Sequence, residues 1–195
     1  MNQLDDRRLI REAKEGSGEA LNKLFDRYGA RLLSLIRLRM GRSLRQQLES
    51  QDLLQQTMLK AFQRIDQFAG GGETSLMGWL GAIARNEVHD QVKYFRRGGR
   101  DVARAVPLEA VGEAMAQQLR TEVSRLHLLA QAQALENAIE SLQERHREIL
   151  LLRRFEELTF PQIGKQLGKS PDACRMLYSR AMAALTFELQ DKRGD

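Results

Sequence analysis

The chain has 195 residues, of which 42% are hydrophobic and 29% charged, and its formal net charge is +5. This composition is typical of a soluble globular protein and excludes a disordered chain, while the positive charge weakly favours a polyanionic partner. No apolar run approaches the roughly 18–20 residues that span a bilayer, so we expect no membrane insertion. The single cysteine, Cys174, has no disulfide partner, which predicts a reduced, cytoplasmic protein.

Few prolines and many helix-forming residues predict an all-α fold. Residues 5–15 predict a short charged helix, and residues 19–39 predict a long helix with a wide apolar stripe. Six arginines and no acid occur from position 27 to position 45: Arg27, Arg31, Arg37, Arg39, Arg42 and Arg45. Such a run is either a solvated face or a surface beside a polyanion, and both interpretations stay open.

The next predicted helix, over residues 51–67, has a polar face that includes an outward leucine. Its members are Asp52, Gln55, Gln56, Leu59 and Gln63. Amides with one apolar residue suit a protein partner, although a plain solvated face is the alternative.

After a glycine-rich loop, residues 76–97 predict a long helix that Thr74 or Ser75 begins. Trp79 falls on its apolar stripe and is expected in the core. Its polar and basic positions are Arg85, Asn86, His89, Asp90, Lys93, Arg96 and Arg97. Amides can read base edges, and basic groups can hold phosphates, so this face suits nucleic acid.

The rest of the chain predicts a linker and a second helical unit. We expect a first domain over residues 1–98, a linker over 99–128 and a second domain over 129–195. Ser141 with Glu144 predicts a capping box that opens a helix over residues 142–155.

Residues 159–185 predict a helix-turn-helix. Thr159 with Gln162 forms a capping-box pattern, Gly168 suits a helix end, and Ser170 with Pro171 suits the start of a second helix. The predicted buried face of the second helix consists of Ala173, Leu177, Ala181 and Leu185. The positions predicted to meet DNA are Lys169, Ser170, Asp172, Arg175, Met176, Ser179 and Arg180. An ordinary helical hairpin is the alternative, but the local excess of base favours DNA binding.

The sequence contains no pattern typical of a metal site, a nucleotide-binding loop or an enzyme active site. His89, His127 and His146 lack metal-ligand spacing, and neither a Walker motif nor a dinucleotide loop occurs. We therefore expect no metal, no cofactor and no enzymatic activity.

Three stretches in fixed order resemble the bacterial RNA polymerase sigma factors of the extracytoplasmic-function class in the sigma-70 family. DLLQQTMLKAF at 52–62 is similar to the family's D-L-x-Q-E-x-F-x-x-A-[WF] helix. LMGWLGAIARN at 76–86 is similar to F-x-x-W-L-x-x-I-A-R-N, and residues 142–185 are similar to the family's carboxy-terminal domain.

The resemblance implies a partner and a role for each surface. The face that contains Asp52 and Leu59 would dock on the β′ clamp helices of core RNA polymerase, and the family also contacts the β flap. The face around Asn86 would bind the −10 promoter element and help open the duplex, with the loop at 70–75 near an everted base. The helix around Arg175 would bind the −35 element, with Arg175 as the candidate guanine contact. An anti-sigma factor is a common regulator in the family.

Departures from the family pattern concentrate in two places. Gln56 replaces the usual acid on the polymerase face. Asp172-Ala173-Cys174 replaces a Gly-Thr-Val-like run, and Leu177 stands where a base is common, so the −35 sequence is unpredictable. The remaining alternatives are a stand-alone helix-turn-helix regulator and a helical adaptor that does not bind DNA.

Overall fold

A computed structural model describes residues 3–69, 75–97 and 122–191 of the chain. The described residues form an all-α fold, as predicted. Its helices are α1 (Gln3–Lys14), α2 (Gly18–Arg45), α3 (Ser50–Gln63), α4 (Leu76–Arg96), α5 (Glu122–Ser141), α6 (Glu144–Leu150), α7 (Phe160–Leu167) and α8 (Pro171–Asp191). A 3₁₀ turn (Ile65–Gln67) follows α3, and a π-helical turn (Leu151–Phe155) follows α6. None of these helices is long and apolar enough to cross a membrane.

Helices α1 to α4 form the first bundle, in which α2 contacts each of the other three. The apolar stripe of α2 is fully buried at Leu32, Leu35 and Ile36. Ser17 begins the helix, because its hydroxyl accepts a hydrogen bond from the Ala20 amide at 3.2 Å. The long helix was predicted to end at Arg39, whereas α2 continues to Arg45 after a break at Gly41.

The break at Gly41 has a clear backbone cause. Its φ of 64° lies in the left-handed region, which glycine enters without a Cβ penalty. Across this break the Arg45 guanidinium donates to the Arg37 carbonyl oxygen at 2.6 Å. This hydrogen bond joins the last turn of α2 to the helix before the kink.

Helices α5 to α8 form the second bundle, with a core that includes Ile149, Leu152 and Ile163. One predicted core position on α8 is wrong, because Ala173 is exposed while its neighbour Cys174 is fully buried. The predicted capping box at Ser141 is also wrong. Ser141 is the last residue of α5, and its hydroxyl oxygen lies 2.8 Å from the Ala138 carbonyl oxygen and 2.7 Å from a Glu188 carboxylate oxygen. Gln143 precedes α6 instead.

The two bundles are in direct contact. Ile139, Leu151, Phe155 and Leu185 of the second bundle pack against the core of the first. Helix α5 begins at Glu122, inside the segment predicted as a linker, and residues 98–121 lie outside the described part of the chain. The contact therefore joins two units that are far apart in sequence.

Candidate protein and nucleic-acid interfaces

The predicted α3 face consists of Asp52, Gln55, Gln56, Leu59 and Gln63, of which Leu59 and Gln63 are exposed and the other three are partly buried. Its apolar member, Leu59, is 59% exposed, while Leu53, Leu54 and Met58 on the other side of the helix are buried. An outward leucine among amides gives this face an apolar centre and a polar edge, which is the usual anatomy of a protein interface.

An ion pair ties the α3 face to α4. The Lys60 ammonium lies 2.6 and 2.7 Å from the two carboxylate oxygens of Glu87, and Glu87 is buried. Because a buried carboxylate is costly without its partner, this pair holds α3 and α4 in one relative position. No pattern in the sequence indicated this pair.

The α4 face consists of Arg85, Asn86, His89, Asp90, Lys93, Arg96 and Arg97. All of these except Arg85 are exposed, and they recur along one side of the helix. The Ser75 hydroxyl accepts from the Gly78 amide at 3.0 Å and so begins α4. Residues 70–74 of the predicted base-binding loop lie outside the described residues.

Arg85 differs from its neighbours because it already has a partner. Its guanidinium donates to a carboxylate oxygen of Glu156, in the second bundle, at 2.8 Å. Arg85 is therefore placed between the α4 face and the contact between the bundles.

The helix-turn-helix forms as its sequence predicts. The Thr159 amide donates to the Gln162 side-chain oxygen at 2.7 Å, which is the return half of the capping box. Gly168 ends α7 in the left-handed region, with φ 64° and ψ 37°. The Ser170 hydroxyl accepts from the Ala173 amide at 3.1 Å and begins α8.

The turn between α7 and α8 is tight because of a second glycine. A Cβ atom at Gly164 would lie 2.5 Å from the Lys169 carbonyl oxygen, closer than any side chain permits. Gly164 was not identified from the sequence, although its place one turn before the helix end was the available signal.

The α8 face consists of Lys169, Ser170, Asp172, Arg175, Met176, Ser179 and Arg180, and every member is exposed. Met176 is 57% exposed. The Arg175 guanidinium pairs with Asp172 and lies 5.5 Å from the centre of the Phe160 ring. The Arg175 guanidinium, the candidate group for contacting a base, is therefore already engaged by Asp172 and by the Phe160 ring.

The six arginines from position 27 to position 45 all have acidic partners, which neither interpretation of the sequence anticipated. Arg27 pairs with Asp5 and Asp6 of α1. The other five pair with glutamates of the second bundle: Glu136, Glu140, Glu148, Glu156 and Glu157.

The glutamate partners raise arginine pKa values. The hydrogen bond to Glu136 raises the pKa of Arg37 above its ordinary value. Burial opposes the charge of Arg39, but Glu156 and Glu148 outweigh it and raise the pKa of Arg39. The raised pKa values of Arg37 and Arg39 thus come from glutamates about a hundred positions away in the sequence.

Two family models match the chain, and together they cover about two thirds of it. The model for sigma-70 region 2 matches residues 24–100, and the model for sigma-70 region 4 matches residues 132–185. The first match contains α3 and α4, and the second contains the helix-turn-helix.

Similar proteins carry the same assignment. The ECF RNA polymerase sigma factor BldN of Streptomyces coelicolor is 29% identical over 94% of this chain, which spans 65% of BldN. The RNA polymerase sigma factor CarQ of Myxococcus xanthus is 28% identical over 88% of this chain and 90% of CarQ.

Solved structures share the fold. CnrH, solved with the cytosolic domain of CnrY, has a TM-score of 0.59 at 21% identity and covers 96% of this chain and 98% of CnrH. The sigma factor RpoE of Bartonella quintana, solved with the anti-sigma factor NepR, has a TM-score of 0.54 at 24% identity, over 87% of this chain and 95% of RpoE. With both region models matched in order, the chain belongs to the sigma-70 family of bacterial RNA polymerase sigma factors, in the extracytoplasmic-function class.

Proposed function

We propose that the chain is a dissociable initiation subunit that recruits core RNA polymerase to a set of promoters. The α3 face binds the polymerase, where Leu59 supplies the apolar anchor and the amides supply hydrogen bonds. The protein acts in the cytoplasm and catalyses no covalent step.

The α4 face binds the −10 element. Asn86 and His89 offer hydrogen-bonding groups to base edges, while Lys93 and Arg97 hold phosphates. Unpaired bases need both a basic channel and groups that reach their edges, and α4 carries both along one exposed side.

The α8 face binds the −35 element in the major groove. Arg175 is the candidate for a bidentate contact to guanine, and Lys169 and Arg180 hold phosphates on either side. The first domain (1–98) thus binds polymerase and the −10 element, and the second (129–195) binds the −35 element.

The observation that carries the proposal is the Lys60–Glu87 pair, which fixes a protein-binding face and a nucleic-acid face in one bundle. A stand-alone helix-turn-helix regulator needs neither surface upstream of its hairpin. An anti-sigma factor is a further partner under this proposal, because RpoE, which is similar in fold, is solved bound to one.

Run-off transcription with purified core polymerase on genomic promoter fragments tests the proposal. We expect a stable complex with core and start-site-specific transcripts that core alone does not make. The matched pair of variants is Gln55→Ala/Leu59→Ala on the α3 face and Gln51→Ala on an exposed position of the same helix.

The double variant is expected to weaken core binding roughly ten-fold, since it removes an exposed apolar anchor, and Gln51→Ala is expected to leave it unchanged. Unaltered helical content shows that both still fold. A chain that forms no complex with core and yields no specific transcript overturns the proposed function.

A further inference from the structure

The ring of Phe160 joins the two helices of the helix-turn-helix. Phe160 is the first residue of α7, and its side chain is partly buried against the core of the second bundle. Two guanidinium groups lie over its ring, that of Arg153 at 5.0 Å and that of Arg175 at 5.5 Å from the ring centre. The ring therefore connects the start of α7 to the α8 face.

The position of this ring is itself fixed by its neighbours. Tyr178 of α8 meets it edge to face, with the two ring centres 5.8 Å apart, an arrangement that aromatic pairs prefer. Arg153 donates to the Leu158 carbonyl oxygen at 2.9 Å, so one of the two cations on the ring is anchored to the backbone. The capping box of Thr159 and Gln162 fixes the backbone at the start of the same helix. The ring is therefore a fixed support.

Arg175 is the side chain that gains most from such a support. It is 59% exposed, and a long exposed arginine has many rotamers that binding must reduce to one. The ordering of a side chain at an interface costs binding free energy. Arg175 is the candidate guanine contact of the α8 face, a step that rests on the proposed function. A contact that orders its guanidinium before DNA arrives lowers that cost.

The two contacts of Arg175 use different parts of its guanidinium. The ion pair with Asp172 engages an N–H donor on the Nη1 atom. A ring contact engages the cation and leaves the in-plane donors for other partners. A bidentate contact to guanine needs two in-plane donors, so the ion pair draws on the same donors and the ring contact does not. The Phe160 ring can therefore hold Arg175 both before and during base recognition.

A packing role explains only part of the surroundings of Phe160. The side chain does pack against the core of the second bundle, and a leucine of similar reach would serve that purpose. A leucine has no π-face, however, and would hold neither of the two cations that lie over this ring. The feature that only an aromatic residue supplies here is the support of the two arginines.

We propose that Phe160 is a positioning residue of the −35 contact, whose ring orders the Arg175 guanidinium before DNA is bound and keeps it in the orientation that reads guanine. Phe160 acts through Arg175 and contacts no base itself. The ring also sharpens base preference, because an arginine without this support turns more easily to a phosphate, which carries no sequence information.

A double-mutant cycle tests this role. The whole chain and its variants are assembled with core RNA polymerase, and binding is followed by fluorescence anisotropy with a labelled promoter fragment that gives a run-off transcript. Phe160→Leu is expected to weaken binding roughly five-fold, which is within the range for ordering one long side chain. The double variant Phe160→Leu/Arg175→Ala is expected to bind no more weakly than Arg175→Ala alone.

The coupling between the two changes decides the outcome, because residues that act through one contact do not contribute independently. If Phe160→Leu causes the same fold-loss in the Arg175→Ala background as in the wild type, Phe160 acts independently of Arg175 and the proposal is overturned. If Phe160→Leu binds as tightly as the wild type, the proposal is overturned as well.

Base preference supplies a readout that a loss of structure would not move. The probes are the same promoter fragment with one −35 base pair changed at a time. Phe160→Leu is expected to reduce discrimination at the position where Arg175→Ala reduces it, and to leave discrimination at the other positions as in the wild type. A loss that is equal on every fragment would indicate a general weakening of the second bundle and would overturn the positioning role.

Two further variants separate the aromatic face from the bulk of the side chain. Phe160→Tyr keeps the ring and is expected to bind within about two-fold of the wild type. Phe187→Leu is the matched control, because it makes the same exchange on α8 at a side chain that is 67% exposed, and it is expected to change neither affinity nor base preference. A Phe160→Tyr variant as weak as Phe160→Leu, or an equal loss in Phe187→Leu, overturns the proposal.

The ordering of Arg175 is measurable in the free chain as well. Nuclear magnetic resonance of the Arg175 Nε–H group is expected to show a side chain that is ordered in the wild type and mobile in Phe160→Leu. Far-ultraviolet circular dichroism checks that both chains keep the same helical content. An Arg175 side chain that is equally mobile in both overturns the proposal without any DNA.

Failure of this inference is distinguishable from failure of the proposed function. If the wild type and core polymerase form no complex with any promoter fragment, the proposed function fails and the positioning role fails with it. If the wild type binds and transcribes but the cycle shows no coupling, the proposed function stands and only the role of Phe160 is removed.

Discussion

The arginines of α2 and those of α8 look alike in the sequence and have opposite surroundings in the structure. Helix α2 carries an excess of base, as does the helix-turn-helix segment at 160–187 that contains most of α8, and both stretches suggested a polyanion. On α2 five arginines are matched by glutamates of the other bundle, whereas on α8 Arg175 and Arg180 stay exposed. A basic run therefore indicates nucleic acid only where the fold leaves it uncovered.

The two helices also differ in how their arginines are paired with acids. Arg175 has a local partner, Asp172, one helical turn away in a solvent-exposed pair. Arg39 has distant partners and is only 8% exposed. The first pair exchanges readily for a phosphate or a base edge, because exposed pairs are weak. The ion pairs of Arg39 exchange less readily, because they are buried.

The largest expected effect comes from the turn that presents α8. Gly164→Ala is expected to destabilise the second bundle by about 3 kcal/mol, since the new Cβ atom would lie 2.5 Å from the Lys169 carbonyl oxygen. Thermal unfolding followed by circular dichroism measures it. Gly18→Ala is the control, because a Cβ atom there meets nothing within 4 Å. Equal melting temperatures for the two variants would contradict the close approach.

The buried arginine of α2, Arg39, is expected to matter next. Arg39→Gln leaves Glu156 with one of its two cationic partners, and we expect it to weaken the contact between the bundles by about 2 kcal/mol. Arg42→Gln removes a side chain that is 70% exposed and should have a much smaller effect.

Hydrogen exchange of the α6 amides measures both variants. Faster exchange in Arg39→Gln than in Arg42→Gln supports the distinction between buried and exposed pairs. Identical protection in the two would show that burial does not distinguish these arginines.

On α8, Arg175→Ala is expected to weaken the binding free energy on a matched promoter by roughly 1–3 kcal/mol and to relax the base preference at one position of the −35 element. The physical reason is that the variant lacks the two coplanar guanidinium donors that would contact guanine. Binding to promoter fragments with one −35 base pair changed at a time measures it. A uniform loss on all fragments would make Arg175 a phosphate contact only.

The smallest effect expected is in salt dependence. Arg180→Ala should lower the slope of log K against log salt by about 0.9 for duplex DNA, with little change in base preference. Arg42→Ala, at an arginine that pairs with Glu140 of the second bundle, should leave the slope unchanged. Equal changes in slope would erase the difference between the two helices.

Local signals made the helix-turn-helix predictable. Caps, proline and the glycine at the helix end act over a few residues, and the structure confirms them at Thr159, Gly168 and Ser170. The same reasoning failed at Ala173 and Cys174, because two adjacent small apolar residues carry no information about which one faces the core. It failed at Ser141, where a cap-like residue instead bonds within α5 and to Glu188.

The contact between the bundles was beyond sequence reasoning for a different reason. Arg37 and Glu136 are separated by 99 positions, and spacing within a helix says nothing about such a pair. The positive φ of Glu157 had no signal either, since glutamate is not a residue that favours it. The three candidate faces remain predictions of residue roles.

The two glycines of α4 have a thermodynamic consequence. Glycine inside a helix is less favourable than alanine by about 1 kcal/mol per residue, because the unfolded backbone has more freedom to lose. Gly78 and Gly81 thus lower the intrinsic stability of the helix that carries the −10 face. The contact between the bundles recovers part of that loss by filling the space above them with Glu156 and Leu158. A chain with alanine at both positions would have a more stable α4 but a weaker contact between its two bundles. The intrinsic stability of the helix and the strength of that contact are therefore opposed at the same two residues.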